Sequence, residues 1–197
     1  GYAAPVPAVL HGRRRVLVFA GGESDPPTGG LLCIDPADGR VESSFPWRGK
    51  RVESVNASAP LAVGNRVFVS ECYGAGGVLL DVAADGRLTP AWTNAEFGTH
   101  FMTAVHKDGY LYGVDGHGPG DARTVCVELA TGRTMWREKP VWTDTVDTPA
   151  GRRDVQFGTY RCWLMPVDGR CLCLGEFGHL LWVDLNPKGW TMLSRAR

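Results

Sequence analysis

No apolar run in this 197-residue chain approaches the length of about 18 residues that a helix needs to cross a bilayer. Neither sign of charge is in excess. The 21 Lys and Arg are matched by 21 Asp and Glu, which argues against the basic patch or stripe that marks a nucleic-acid footprint. No window of helical length keeps a 3.6-residue apolar period, so helix content should be small. The run Gly74-Ala75-Gly76-Gly77 is followed by no Lys-Ser/Thr pair and opens no helix, so it is not a phosphate loop. The chain opens Gly1-Tyr2-Ala3-Ala4 without a charged-then-apolar leader. A targeting peptide is therefore read as removed or as lying outside this sequence.

The 6 cysteines include no Cys-Cys dipeptide and no C-x-x-C. An even count fits disulfides in an oxidising compartment. The alternative is that they are small core residues. Cys33 in Leu-Leu-Cys-Ile-Asp and Cys126 in Val-Cys-Val-Glu occupy matching places in apolar strands, which favours the core reading. Cys171 and Cys173 share one face of a strand, poor geometry for bonding to each other. With Cys162 they lack the second ligand pair of a zinc site.

Repetition is what the chain has instead. Asp108-Gly109-Tyr110-Leu111-Tyr112-Gly113 runs through Thr131-Gly132-Arg133-Thr134-Met135-Trp136, and an earlier copy runs from Gly64-Asn65-Arg66-Val67-Phe68-Val69 through Asp85-Gly86-Arg87 to Trp92. Both pairs, Gly64 with Asp108 and Trp92 with Trp136, are 44 positions apart. A third copy starts at Asp168-Gly169-Arg170-Cys171, 60 positions after Asp108. A period in this range points to solenoids, arrays or β-propellers. The 26 Gly and 13 Pro suit many short strands joined by turns, and four short antiparallel strands per repeat make a propeller blade. The fold class expected is all-β, a β-propeller of four-stranded antiparallel blades. About four blades are present, over 12–55, 56–98, 99–139 and 157–197, with 140–156 as a polar inserted loop. The first unit shows three strands, beginning at Arg15 to Phe19. The chain starts inside what looks like a blade and stops straight after an outer strand, so it reads as a piece of a larger propeller.

The register places Asn56, His100 and Tyr160 at one phase, just before the innermost strand of successive blades. Loops at that phase cluster at one mouth of a propeller channel. These three are the candidate ligand-binding residues, with capping of strand starts as the structural alternative. His100 is the best candidate for chemistry, because its unperturbed pKa lies nearest neutrality. His106 and His117 are weaker. Glu71 and Asp115 end equivalent strands, with Glu176 near that phase. They are candidate cation ligands or, alternatively, solvated strand ends. No catalytic residue is assigned. Trp92 and Trp136 are expected to pack between neighbouring blades.

The pattern carried by Asp108 to Gly113, Gly30-Leu31-Leu32-Cys33-Ile34-Asp35-Pro36 and Thr131 to Trp136 resembles the pyrroloquinoline-quinone-like (PQQ-like) propeller repeats. Phe45-Pro46-Trp47-Arg48, Val55 to Pro60 and Thr99 to Val105 are similar to a bacterial subgroup of PQQ-binding-like repeat proteins. The resemblance implies one of two functions. The first is a non-catalytic scaffold for a ligand or protein partner, as in the lipoprotein of outer-membrane protein assembly. The second is a fragment of a quinoprotein alcohol or sugar dehydrogenase. The dehydrogenases carry a vicinal Cys-Cys pair over the quinone, bind calcium through a carboxylate and an amide, and use a separate Asp base. No motif here matches those positions, so PQQ with calcium is not assigned. A periplasmic or exported location follows from the resemblance alone.

Overall fold

The computed structural model describes residues 1–23, 25, 26 and 28–197. The breaker residues between Gly21 and Gly30 predict a loop, of which Ser24 and Pro27 lie outside the described residues. The protein is all-β, and among the described residues no helix is long and apolar enough to cross a membrane. The first sheet holds β1 (Val6–Leu10), β2 (Arg13–Ala20), β3 (Gly30–Ile34) and β4 (Val41–Pro46). The second holds β5 (Leu61–Val63), β6 (Arg66–Glu71), β7 (Gly76–Val82) and β8 (Leu88–Asn94). The third holds β9 (Val105–Lys107), β10 (Tyr110–Asp115), β11 (Arg123–Glu128) and β12 (Thr134–Glu138). After β13 (Val141–Thr148) and β14 (Gly151–Gly158), the fourth holds β15 (Trp163–Val167), β16 (Arg170–Leu174), β17 (Leu180–Asn186) and β18 (Gly189–Ala196). Each four-stranded sheet is an antiparallel meander in chain order, the form of a propeller blade.

Turn chemistry explains the repeated glycines. The first hairpin of the third blade turns on Asp108-Gly109 and that of the fourth on Asp168-Gly169, all four residues at positive φ. Such two-residue turns match the right-handed twist of the flanking strands. The repeat reaches deeper than turns. Every blade shifts register at one place between its third and fourth strands, at Cys33/Ile34, Leu79/Leu80, Cys126/Val127 and Trp182/Val183. Cys33 and Cys126 are therefore structural equivalents, and both are buried.

Two expectations need correction. The first blade has four strands, because β1 pairs with β2 from Val6↔Leu17 to Leu10↔Arg13. The inserted segment is a regular hairpin and not a loop, with β13 paired to β14 from Val141↔Gly158 to Thr148↔Gly151. Its alternation was present in Val141-Trp142-Thr143-Asp144-Thr145-Val146, where Trp142 faces inward opposite Phe157.

The blades stack through three apolar clusters. Leu17, Phe19, Leu31 and Cys33 meet Val67, Val69, Val78 and Leu80. Phe68, Leu79 and Phe97 meet Leu111, Val125 and Val127. Tyr112, Val114 and Cys126 meet Cys171, Cys173, Leu181 and Val183. Each buried Leu or Val contributes about 1.5–3 kcal/mol. A tryptophan on or just after each of the first three outer strands ties its blade to the next. Trp47 Nε1 donates to Gly76 O at 3.0 Å, Trp92 Nε1 to Leu129 O at 2.9 Å and Trp136 Nε1 to Asn186 O at 2.8 Å. The forward face of the fourth blade is open. Its Trp163 and Met165 are 54% and 55% exposed, whereas Tyr112 and Cys126, which map onto its Leu172 and Trp182, are covered.

Candidate functional site

The loop that precedes the first strand of the third blade, and the turns that follow β6 and β10, gather aromatic and imidazole rings. Tyr73 follows the end of β6, and His117 follows the end of β10 at the same phase. His100 and Phe101 come from the loop before β9. The Tyr73 hydroxyl hydrogen-bonds His100 Nε2 at 3.2 Å. The His100 ring lies 4.3 Å from Phe101, 4.8 Å from His117 and 5.5 Å from Tyr73, centroid to centroid. Tyr73 and His117 are 5.3 Å apart. Tyr2 closes on Phe101 edge to face at 5.7 Å. Phe101 is 45% exposed, whereas His100 is buried.

His100 Nδ1 is buried with no hydrogen-bond partner among the described residues. Burial holds the His100 pKa down at about 4, with His117 and Arg161 adding repulsion. The imidazole is therefore neutral at physiological pH. It can give or take a hydrogen bond but carries no charge.

The other two residues of the expected trio sit differently. Asn56 is fully buried, and its side-chain amide donates to Ala20 O at 2.6 Å and to Trp47 O at 3.1 Å. Its own carbonyl accepts from Tyr2 N at 2.9 Å. Asn56 thus braces the ends of β2 and β4 and holds Tyr2, whose ring reaches Phe101. Tyr160 is half-buried, with Phe177 edge-on at 5.5 Å and Lys139 5.8 Å from its ring centroid. Its neighbour Arg161 is the group that acts on His100, and it is ion-paired with Glu176.

The carboxylates that end equivalent strands have separate fates. Asp115 accepts from Gly98 N at 2.8 Å and from Arg137 Nη2 at 2.5 Å. Burial pushes its pKa up, and Arg137 opposes that. Glu71 is fully buried, and its Oε1 accepts from Tyr73 N at 3.0 Å. Glu71 Oε2 has no partner among the described residues, and burial pushes this carboxyl up as well. Replacing Arg137 by Met leaves a buried acceptor unpaired and should cost about 1–3 kcal/mol near neutral pH. The cost should shrink once Asp115 protonates in acid, as urea unfolding of both forms at the two pH values would show.

No group of three or more His, Cys, Asp or Glu side chains among the described residues is placed to hold a metal ion. The quinone-and-calcium arrangement of the dehydrogenases needs a free amide and a free carboxylate on one cation. Here Asn56 Nδ2 donates to two carbonyls and the Asp115 carboxylate is held by Arg137, while Asn56 Oδ1 and Glu71 Oε2 are buried without a partner among the described residues. No chemistry is derived through that group.

Two sets of residues went unnoticed in the sequence. Tyr73 was the signal most within reach, since it stands 44 positions before His117. The second set is Asp144, in the inserted hairpin, with His179 and Arg195. His179 Nε2 lies 3.0 Å from Asp144 Oδ2, and Arg195 Nη2 lies 2.5 Å from Asp144 Oδ1. These contacts join the hairpin to the fourth blade across long sequence separations that no local pattern marks.

A family model described as outer membrane protein assembly factor BamB, a family of PQQ-like repeats, matches residues 3–138. No curated protein matches the chain at a significant level.

Proposed function

Because the chain belongs to this family of PQQ-like repeat propellers, described as outer membrane protein assembly factor BamB, we propose that it is a non-catalytic binding scaffold whose contact surface is the mouth ringed by Tyr73, His100, Phe101 and His117. Asn56, fully buried, supports that surface from behind through Tyr2, and Tyr160 stands next to Arg161, which acts on His100. The observation that carries the reading is the setting of His100, a buried imidazole with one nitrogen on Tyr73 and the other without a partner among the described residues, beneath an exposed phenyl ring. Aromatic rings held rigid with a polar handle suit recognition more than turnover. Two of the carboxylates near that surface are committed: Asp115 is paired with Arg137, and Glu176 with Arg161. The family description favours a protein partner over a small substrate, and an exported setting over the cytoplasm.

Peptides selected on the chain from a displayed library should lose at least about tenfold in affinity on the Phe101→Asp variant, as for loss of one interface anchor. They should be unaffected by Trp163→Asp on the open face of the fourth blade. Binders indifferent to Phe101 and His117 would move the surface elsewhere. Reduction of a dye acceptor by the chain supplied with quinone, calcium and an alcohol would favour the dehydrogenase reading instead.

A further inference from the structure

A second concavity lies between the exit of β4 and the turn joining β6 to β7. Its volume is about 490 Å³, and Trp47, Arg48, Lys50, Arg51, Tyr73 and Gly74 are among its walls. That volume falls in the range of small-molecule sites, about 300–1,000 Å³. Three of the lining side chains are cationic and none is acidic. None of the three forms an ion pair among the described residues. Arg48 is anchored by Nη2, which donates to Ser54 O at 2.6 Å, and its buried Nε has no acceptor among the described residues. Trp47 is rigid: its indole N–H is held by Gly76 O, and its ring stacks on Phe45 at 6.3 Å.

The architecture does not require these cations. The equivalent stretch after β8 reads Ala95-Glu96-Phe97-Gly98, and it closes on the next blade through Gly116 N→Gly98 O at 3.0 Å. The run Trp47-Arg48-Gly49-Lys50-Arg51 is thus particular to the first pair of blades. Glu71 lies directly behind Gly49, where a Cβ would come within 2.6 Å of its Oε2. Burial raises the pKa of this carboxyl, while its interaction with Arg48 works the other way, so Glu71 acts on Arg48 from behind the pocket wall. Glu53 is near enough to act on Tyr73 from outside the pocket walls.

We infer that this pocket binds a small organic oxyanion with a flat apolar body, the oxyanion held by Arg48, Lys50 and Arg51 and the body laid against Trp47 and Tyr73. A guanidinium with free donors suits a carboxylate or a phosphate, and a fixed indole suits an aromatic ring. This site is independent of the mouth reading, although Tyr73 borders both.

The test is calorimetric titration of the full chain with naphthalene-2-carboxylate, 2-naphthyl phosphate and the neutral naphthalene-2-carboxamide. At least one anion should bind about tenfold or more tightly than the amide, which lacks the charge-assisted contacts. The preferred anion shows whether carboxylate or phosphate is the head group recognised. Arg48→Gln should weaken that binding about tenfold. The Lys50→Gln/Arg51→Gln double variant changes only exposed side chains and so keeps its fold; it should weaken binding about fivefold or more. Phe101→Asp should leave it unchanged, which separates failure here from failure of the mouth. Binding of the amide as tight as that of the anions, no binding of either anion, or full affinity in the double variant would overturn the inference.

Discussion

Replacing Phe97 by Ala should cost about 3–5 kcal/mol, the usual range for emptying a buried phenyl site. A loss of that size is a large share of the roughly 5–15 kcal/mol that holds a domain folded. Phe97 has no exposed surface and sits at the seam of the second and third blades. It packs on Phe68 at 5.0 Å, and Phe68 in turn lies 5.8 Å from Trp92. Two glycines make room for this stack. A Cβ on Gly113 would meet Phe97 Cε2 at 2.7 Å, and one on Gly77 would meet the Phe68 ring at 2.6 Å. Gly113→Ala alone should therefore cost about 1–3 kcal/mol through overpacking. In the Phe97→Ala background the same methyl fills the space left by the phenyl, so its penalty should largely vanish. Urea midpoints of the four proteins, at unchanged denaturant slope, give the coupling directly. Strict additivity would mean that the blades do not meet through this contact.

Legibility in the sequence followed the repeat. The Asp-Gly turns at 108 and 168 and the paired Trp92 and Trp136 could be read because a turn type and an indole anchor each demand particular residues at a fixed phase. The same arithmetic reaches His100 but not Tyr73, while His117, 44 positions after Tyr73, ranks in the sequence only as a weaker candidate. Equal phase did not mean equal chemistry. Glu71 and Asp115 end equivalent strands, yet only Asp115 has an arginine nearby on the outer strand. The strand position that holds Arg137 in the third blade holds Thr93 in the second, since these pair with Val125 and Val78 respectively. Strand β1 escaped notice because Pro7 interrupts its pattern and Val9 is exposed, as an edge strand permits. The inserted hairpin escaped because its polar surface alternates with only a few apolar residues. Its attachment, Asp144 to His179 and Arg195, is tertiary and leaves no local trace.

Acid should weaken the wild-type protein through His100, and His100→Gln should remove that part of the loss. Burial, reinforced by His117 and Arg161 and opposed by Asp121, lowers the folded pKa to about 4 from the 6.5 of a free histidine. A depressed pKa means that the unfolded chain takes up the proton first. The contribution is therefore fully present above pH 6.5 and is lost as the pH falls from there towards 4. At 1.36 kcal/mol per pKa unit, the loss is at most about 3 kcal/mol. Gln places its amide near the position of Nε2 and so retains a partner for Tyr73, while Nδ1 has none to lose among the described residues. Glu71 and Asp115 work in the opposite direction. Their raised pKa values favour the folded state in acid and weaken it as the pH rises. The raw pH profile of either protein mixes these opposing slopes, so the informative quantity is the difference between wild type and His100→Gln at each pH. That difference should be flat above pH 6.5 and should change in favour of the variant below it, with the titrating His100 ring followed in parallel by its NMR shifts. A ring that titrates near 6.5 would show that water reaches it freely, and the neutral imidazole at the base of the mouth would have to be abandoned.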